Sequence, residues 1–267
     1  MAKKPVTKNK EVCPFLGIAI QKDLYKRVFE LLANVEDENR QWQIAQAIFE
    51  YMLVHFDERK QGIAIRYAKV GPDHGDGVHS LYETSLYGTP PWPMNAQYPV
   101  YWGRTHLGGW AAELQRMQRW DTLDGQQYRP IDIDLYEQSS CAEPIMRGNY
   151  LAGVLMVSST QPGFFKHPFS WQVVHDYALL LNLAFSQSDF YSLSCIKLRT
   201  MPALAWQRAE MEKVYVKRVL FASRHYNLTR QQAEGRVRGE LELEFEQVAR
   251  LQCVGQEIAH SGKRDVR

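Results

Sequence analysis

From Asp23 onward, apolar residues recur at spacings of three and four. Val28, Leu31, Leu32 and Val35 form one set; after the polar run Glu36-Asp37-Glu38-Asn39 come Ile44, Ala47, Ile48, Tyr51 and Leu53. This period predicts two amphipathic helices, or one helix with a break. At Gln61-Gly62 the pattern changes to alternation. Ile63, Ile65 and Tyr67 share one face of a predicted strand over 62–70, and 78–86 reads as its hairpin partner across the glycine-rich turn 71–77. Pro90, Pro91 and Pro93 exclude helix and central strand from an irregular stretch that reaches Trp102. His106 to Met117 has helical character, with Thr105 as its expected N-cap. Strand-like runs follow over 129–136 and 139–145, the second turning at Arg147-Gly148-Asn149 into 151–158. Ser170 to Phe185 then reads as a helix with Val173, Tyr177, Leu180, Leu181 and Ala184 on one stripe.

Beyond Ser192 the pattern predicts helices alone. Pro202 is expected at the start of a helix running towards Tyr226, where a proline sacrifices no hydrogen bond. Thr229 and Gln232 have the form of a capping box opening a second helix. Its stripe of Ala233, Val237, Leu241, Phe245, Val248 and Leu251 must bury against the first domain, the preceding helix or a second subunit. Strands joined by short hairpins and helices grouped apart predict an α+β fold with a central antiparallel sheet, flanking helices and an all-α C-terminal extension. The expected division is a basic tail over 1–14, a main domain over 15–191 and the helical extension over 192–267.

The composition is that of a globular chain: of 267 residues, 45% are hydrophobic and 23% charged. A net charge of +2 gives no reason to expect a polyanion as the main partner. Basic clusters at Lys3, Lys4, Lys8 and Lys10 and at Lys263, Arg264 and Arg267 read as solvated tails. No run is long enough to span a membrane, and no secretion signal is recognisable. Cys13, Cys141, Cys195 and Cys253 lie more than fifty residues apart, which argues against a zinc site and a disulfide framework. The expectation is a cytoplasmic protein with reduced thiols, no metal and no cofactor.

Two segments carry a family resemblance. Ser139 to Thr160, a small-residue strand ending in Pro144-Ile145, turning at Gly148 and returning as Gly153-Val154-Leu155, resembles the hairpin of GAF domains. Gln161-Pro-Gly-Phe-Phe165 running into the helix from Trp171 to Phe185 resembles their closing loop and helix, and Thr105 to Ala112 their short helix. The resemblance extends from about Leu24 to Phe190. It implies a sheet with helices on one face and a small-molecule pocket on the other, roofed by Gly88 to Trp110 and floored by strands from Arg129 to Ser140.

The implied roof is crowded with rings. Trp92, Tyr98, Tyr101, Trp102 and Trp110, with His106 among them, suit a planar ligand or else plug the cavity themselves. Trp92, Tyr101, Trp102, His106, Trp110, Ser140 and Cys141 are therefore the candidate ligand-binding residues. Cys141 lacks the following histidine that GAF relatives use to attach a bilin, and its distance in sequence from Cys195 does not assure the clustered thiols of GAF-type sulfoxide reductases. It reads as a buried small hydrophobe. Phe56-Asp57-Glu58 superficially resembles the end of the cyclic-nucleotide motif but reads as a helix terminus. Asp132 and Asp134 share a strand face, an arrangement suited to acid/base work or a hard metal. The simpler reading puts them outward, with Ile131, Ile133 and Leu135 filling the buried face. His74 with Asp73 and Asp76 reads as turn chemistry.

No nucleophile triad or phosphate-cradling loop stands out, so the sequence alone predicts no enzyme. Arg230, Arg236 and Arg238 beside the helix start at Thr229 resemble a DNA-binding opening. Glu234, Glu240, Glu242, Glu244 and Glu246 on the same helix would repel phosphates. The expectation is a GAF-type sensory module that binds a small molecule and signals through helices to a homodimer mate or partner protein, with Val237, Leu241, Phe245 and Val248 as the partner-facing set. The alternatives are a ligand-free scaffold for protein assembly, or an accessory transcription regulator touching DNA through the C-terminal helices.

Overall fold

The computed structural model describes residues 20–261, with 95–97 and 124–129 excepted; the side chains at 37, 38 and 253–261 are likewise outside the description. The basic tail expected over 1–14, Cys13, the side chain of Cys253 and the terminal cluster Lys263, Arg264 and Arg267 therefore lie outside the described residues.

The element order is α1 (Lys22–Asn34), α2 (Asp37–Phe56), β1 (Ile63–Val70), β2 (Leu81–Gly88), β3 (Tyr101–Trp102), α3 (Leu107–Leu114), β4 (Gln118–Asp121), β5 (Ser139–Arg147), β6 (Tyr150–Ser159), α4 (Pro168–Asn182), β7 (Tyr191–Ser192), α5 (Leu204–His225) and α6 (Arg230–Ser261). The seven strands form one antiparallel sheet in the order β3-β2-β1-β6-β5-β4, with β7 pairing β6. The expected α+β architecture, a central antiparallel sheet with flanking helices and a helical extension, is the one observed.

Alternation in β1 separates two cores. Ile63, Ile65 and Tyr67 face α1, α2 and α4, where Val28, Ile48, Met52, Val174, Tyr177 and Leu181 close over them. Ala68, Val154 and Met156 face the other way, onto Trp102, Leu107, Ala111, Trp120, Leu198 and Leu204. A third core joins α5 and α6 to the sheet edge through Tyr101, Met201, Met211, Val219, Val237, Leu241 and Phe245.

Several boundaries differ from the pattern. Tyr101 and Trp102, placed in the irregular stretch, pair with Tyr82 and Leu81 as an edge strand, and β4 lies inside the expected loop after α3. Helix α3 is capped by the imidazole of His106, whose Nδ1 accepts the Gly108 amide at 3.1 Å, in place of Thr105. Pro202 precedes the N-cap Ala203 of α5 and does not occupy its first turn. The Thr229–Gln232 capping box forms as expected, with Thr229 N–H donating to Gln232 Oε1 at 3.0 Å and Gln232 N–H to Thr229 Oγ1 at 3.3 Å.

The largest departure concerns residues 129–136. From Pro130 to Gln138 the described chain forms no strand; its one ladder contact is an isolated bridge between His106 and Asp132. Its facing is the reverse of the expected one except at Ile133, which is half-buried against the core beside Trp102. Ile131 and Leu135 are 81% and 82% exposed, while Asp132 and Asp134 are buried at 6% and 8%. Thr105 O accepts the amides of Ile131 and Asp132 at 3.2 and 3.3 Å, strapping the segment to the turn before α3. That anchor sets the facing, and two positive charges beneath it make the facing favourable.

Of the set expected to face a partner, Val237, Leu241 and Phe245 are buried against their own chain, and Val248 is half-buried. Phe245 meets Tyr101 and Trp206 edge-on at 5.7 and 5.1 Å. Two of the five acids weighed against DNA binding on α6 are also buried. Glu242 accepts from Ser80 Oγ at 2.7 Å and faces His74 at 3.2 Å, and Glu246 lies 2.8 Å from His79. The apolar stripe and these two acids together seat α6 on the turn between β1 and β2. Phe245→Ala is expected to cost about 3–5 kcal/mol in urea unfolding, whereas Leu243→Ala on the exposed face should cost less than about 0.5 kcal/mol.

Candidate functional site

Arg66 is the central residue of β1 and the largest charged side chain with no exposure at all. Alternation with Ile65 and Tyr67 forces it onto the face away from α1, α2 and α4. A guanidinium taken out of water costs several kcal/mol unless it is paired and hydrogen-bonded. Segment 130–138 supplies the pairing. Arg66 Nη2 donates to Asp134 Oδ2 at 2.7 Å, and its Nη1 lies 3.9 Å from Glu137 Oε2. The same Asp134 Oδ2 accepts a second hydrogen bond, from Arg208 Nη1 of α5 at 2.7 Å. One carboxylate oxygen thus joins the sheet to the extension.

The neighbouring acids are held in place individually. Glu137 Oε1 accepts from Ser140 Oγ and Oε2 from Ser158 Oγ, the latter at 3.1 Å. Asp132 Oδ1 accepts the Leu204 amide at 2.9 Å and so completes the first turn of α5. Glu83, buried on β2, adds its field to that of Asp134 on Arg66. His106 is buried beneath α3 and lies against the Trp102 ring, centroids 4.5 Å apart. A side chain at Gly108 would come within 2.4 Å of that ring, so only glycine lets α3 approach so closely.

These environments separate the protonation states. Burial pushes Glu137 up to about 7 and Asp132 up to about 6, against the pull of Arg66 on both. Asp134 goes the other way, to about 2: burial opposes the shift, but Arg66 and Arg208 outweigh it through charge and hydrogen bonds. Burial, reinforced by the two arginines, holds His106 well below the usual imidazole range. Its Nδ1 accepts the Gly108 amide, so the neutral ring carries its proton on Nε2.

Several buried polar atoms of this group have no hydrogen-bond partner: Arg66 Nε and Nη1, Arg208 Nη2, His106 Nε2, Trp102 Nε1, Asp132 Oδ2 and Glu83 Oε2. Five of the seven are donors. On the outer side of the segment, Asp134 and Glu137 line a cleft of about 730 Å3 with Thr122, Pro130, Ile133 and Gln138. Glu137, which holds its proton near neutral pH, lines this cleft, whereas Arg66, Arg208 and His106, which carry the unpartnered donors, lie behind the segment and do not line it. Among the described residues, no group of three or more His, Cys, Asp or Glu is placed to hold a metal ion.

The ring-rich candidates divide among different places. Trp102, His106 and Ser140 belong to the chamber around Arg66. Trp110 is half-buried and packs on the core beside it. Trp92 meets Tyr136 edge-on at 6.3 Å, and Tyr101 turns towards α6, its hydroxyl donating to Arg238 O at 2.7 Å. Cys141 lies on the opposite face of the sheet from Ser140, among the residues under α4, where burial pushes its thiol up. Sequence reasoning noticed Asp132 and Asp134 but faced them outward, and it missed Arg66, Glu83, Glu137 and Arg208. The available signal was a lone arginine at the centre of an apolar strand, in a chain with an unexplained run of acids at 132–137.

No family model matches the chain, and no curated protein matches it. Solved structures, a GAF domain among them, resemble it at low identity. A type II free methionine-R-sulfoxide reductase from Thermoplasma acidophilum is 12% identical with a TM-score of 0.41, covering 56% of this chain and 95% of that one. A GAF domain from an Acinetobacter phosphoenolpyruvate-protein phosphotransferase is 14% identical with a TM-score of 0.40, covering 60% and 89%. A free methionine-R-sulfoxide reductase from Neisseria meningitidis, solved with its substrate, is 12% identical with a TM-score of 0.39, covering 62% and 92%. Against the expectation that this chain is not an enzyme, two of these neighbours are enzymes. No helix among the described residues is long and apolar enough to cross a membrane.

The raised carboxyls carry a stability signature. Glu137 and Asp132 bind protons more tightly folded than unfolded, so their contribution is fully present below their ordinary carboxylate values. It is lost as pH rises through about 6 to about 7. Asp134 contributes the opposite way: its stabilisation is present above its ordinary value and is lost as pH falls towards about 2. Urea unfolding from pH 5 to pH 8 should therefore show wild-type stability declining with pH, and Glu137→Gln should flatten the decline. An unchanged slope in that variant would assign the titration elsewhere.

Proposed function

We propose that the protein is a small-molecule-responsive regulatory module whose ligand carries acceptor groups, in the simplest case a carboxylate, and enters from the cleft outside segment 130–138 to reach the donors of Arg66, Arg208 and His106 behind it. The observation carrying this reading is the shared Asp134 oxygen, which holds Arg66 of the sheet and Arg208 of α5 at 2.7 Å each. A ligand that takes up the unspent donors of Arg66, Arg208 and His106 alters both arms of that link. Asp132, bonded to the start of α5, extends the connection. Occupancy is thereby converted into a change in how α5 sits on the sheet. Glu137, pushed up to about 7, titrates near neutrality, so the bound molecule also meets a group able to exchange a proton with it.

A second reading is supported by the packing. Trp102, Trp120, Leu198 and Leu204 fill the same face of the sheet, and Trp102 has no exposed surface. On that reading the chamber is a staple fixing the extension, and the protein is a scaffold for assembly with others.

Thermal-shift and calorimetric screening with small carboxylates, amino acids and nucleotides separates the two. A ligand present at a hundred times its Kd should stabilise the fold by about 2.7 kcal/mol. Arg208→Gln, at a partly exposed position, should weaken that binding about tenfold, as expected for loss of one charge-assisted contact. Amide exchange in the first turns of α5 should change on ligand addition in the wild type. If no compound class stabilises the protein while a stable partner co-purifies with it, the scaffold reading holds and the receptor reading fails.

A further inference from the structure

The outer face of α5 is unlike the rest of the surface. Val216, Leu220 and Phe221 are 51%, 52% and 61% exposed. Beside them, between α5 and the start of α6, lies a groove of about 300 Å3 lined by Tyr215, Val216, Val219, Leu220 and Ser223, with Arg230 and Glu234 at its rim. From Tyr215 to Ser223 the groove follows α5 for about 12 Å, a little over two helical turns. That length suits an amphipathic helix laying down anchors at i, i+4 and i+7.

The charges along the groove decide what kind of helix fits. Lys217 and Arg224 are exposed and form no ion pair among the described residues. The other cations nearby are engaged: Lys213 with Glu210 at 3.3 Å, Arg218 with Glu244 at 2.6 Å and Arg230 with Glu234 at 2.8 Å. The patch therefore presents apolar anchors flanked on one side by the unspent charges of Lys217 and Arg224, with one exposed acid, Glu212, beyond its N-terminal end. A second copy of this chain would bring the same patch to a two-fold interface and set Lys217 and Arg224 against like charges. Nucleic acid would have to compete for arginines already held by carboxylates, and it has no use for the exposed aliphatic residues.

We propose that this groove docks an acidic amphipathic helix of another protein, with aliphatic anchors seated between Tyr215 and Leu220 and its carboxylates on Lys217 and Arg224. The site is separate from the cluster around Arg66 and can be occupied without a ligand there.

The test uses the full chain and three fluorescent probes: a synthetic helical peptide with leucines at i, i+4 and i+7 flanked by glutamates, its scrambled sequence, and the same peptide with lysines for glutamates. The acidic peptide should bind at least about tenfold tighter than the scrambled one. Leu220→Asp, at an exposed position, should abolish that preference without changing the melting temperature. Lys217→Glu should weaken the acidic peptide and strengthen the lysine peptide, which a purely apolar contact would not do. Equal binding of acidic and scrambled peptides overturns the proposal. So does sedimentation showing a dimer that Leu220→Asp dissociates, or tight binding of a DNA duplex that Leu220→Asp leaves unchanged.

Discussion

The fold turns on one buried guanidinium. Arg66 sits at the centre of the sheet with no exposure, and its charge must be met inside the protein. The partner comes from residues 130–138, a stretch of backbone that pairs with no strand. Because Asp134 spends one oxygen on both Arg66 and Arg208, neutralising the sheet and docking the extension are one event. Glu137 and Glu83, crowded beside that pair, hold protons more tightly than exposed acids do, which limits the negative charge the cluster must accommodate.

What was legible in the sequence follows the range of the interactions. The hairpin of β5 and β6 and the stripe of α4 were readable because their pattern and turn chemistry are local. The Thr229–Gln232 cap was readable for the same reason. The 130–138 segment was misread because alternation shows that two sets of residues face opposite ways and not which set faces in. Counting hydrophobicity assigned Ile131 and Leu135 to the interior. The outcome was decided by Arg66 and Arg208, 68 and 74 positions from Asp134, whose pairing leaves no trace in the local pattern. The short strand β3 was hidden likewise, because its two residues follow a proline-rich stretch and gain their ladder only from β2.

The α6 carboxylates show how composition misleads at the level of a single helix. Five acids looked like one solvated face. Glu242 and Glu246 instead point inward, onto Ser80, His74 and His79, while Glu240 and Glu244 stay at the surface with arginine partners. Their separation follows the helical period, which puts Glu242 and Glu246 on one side with Phe245. Docking of the extension is thus partly polar, and its geometry is more directional than an apolar seam alone provides.

The Asp132–Leu204 hydrogen bond gives the first turn of α5 a cap that it cannot supply from its own neighbourhood. Thermodynamic reciprocity then applies to that joint. For a ligand bound as proposed, whatever changes its affinity by shifting α5 must be matched by an equal factor in the other direction. A protein seated on the outside of α5 would tune the chamber as strongly as the chamber tunes its hold on that protein. Sender and receiver are then roles set by which of the two concentrations varies.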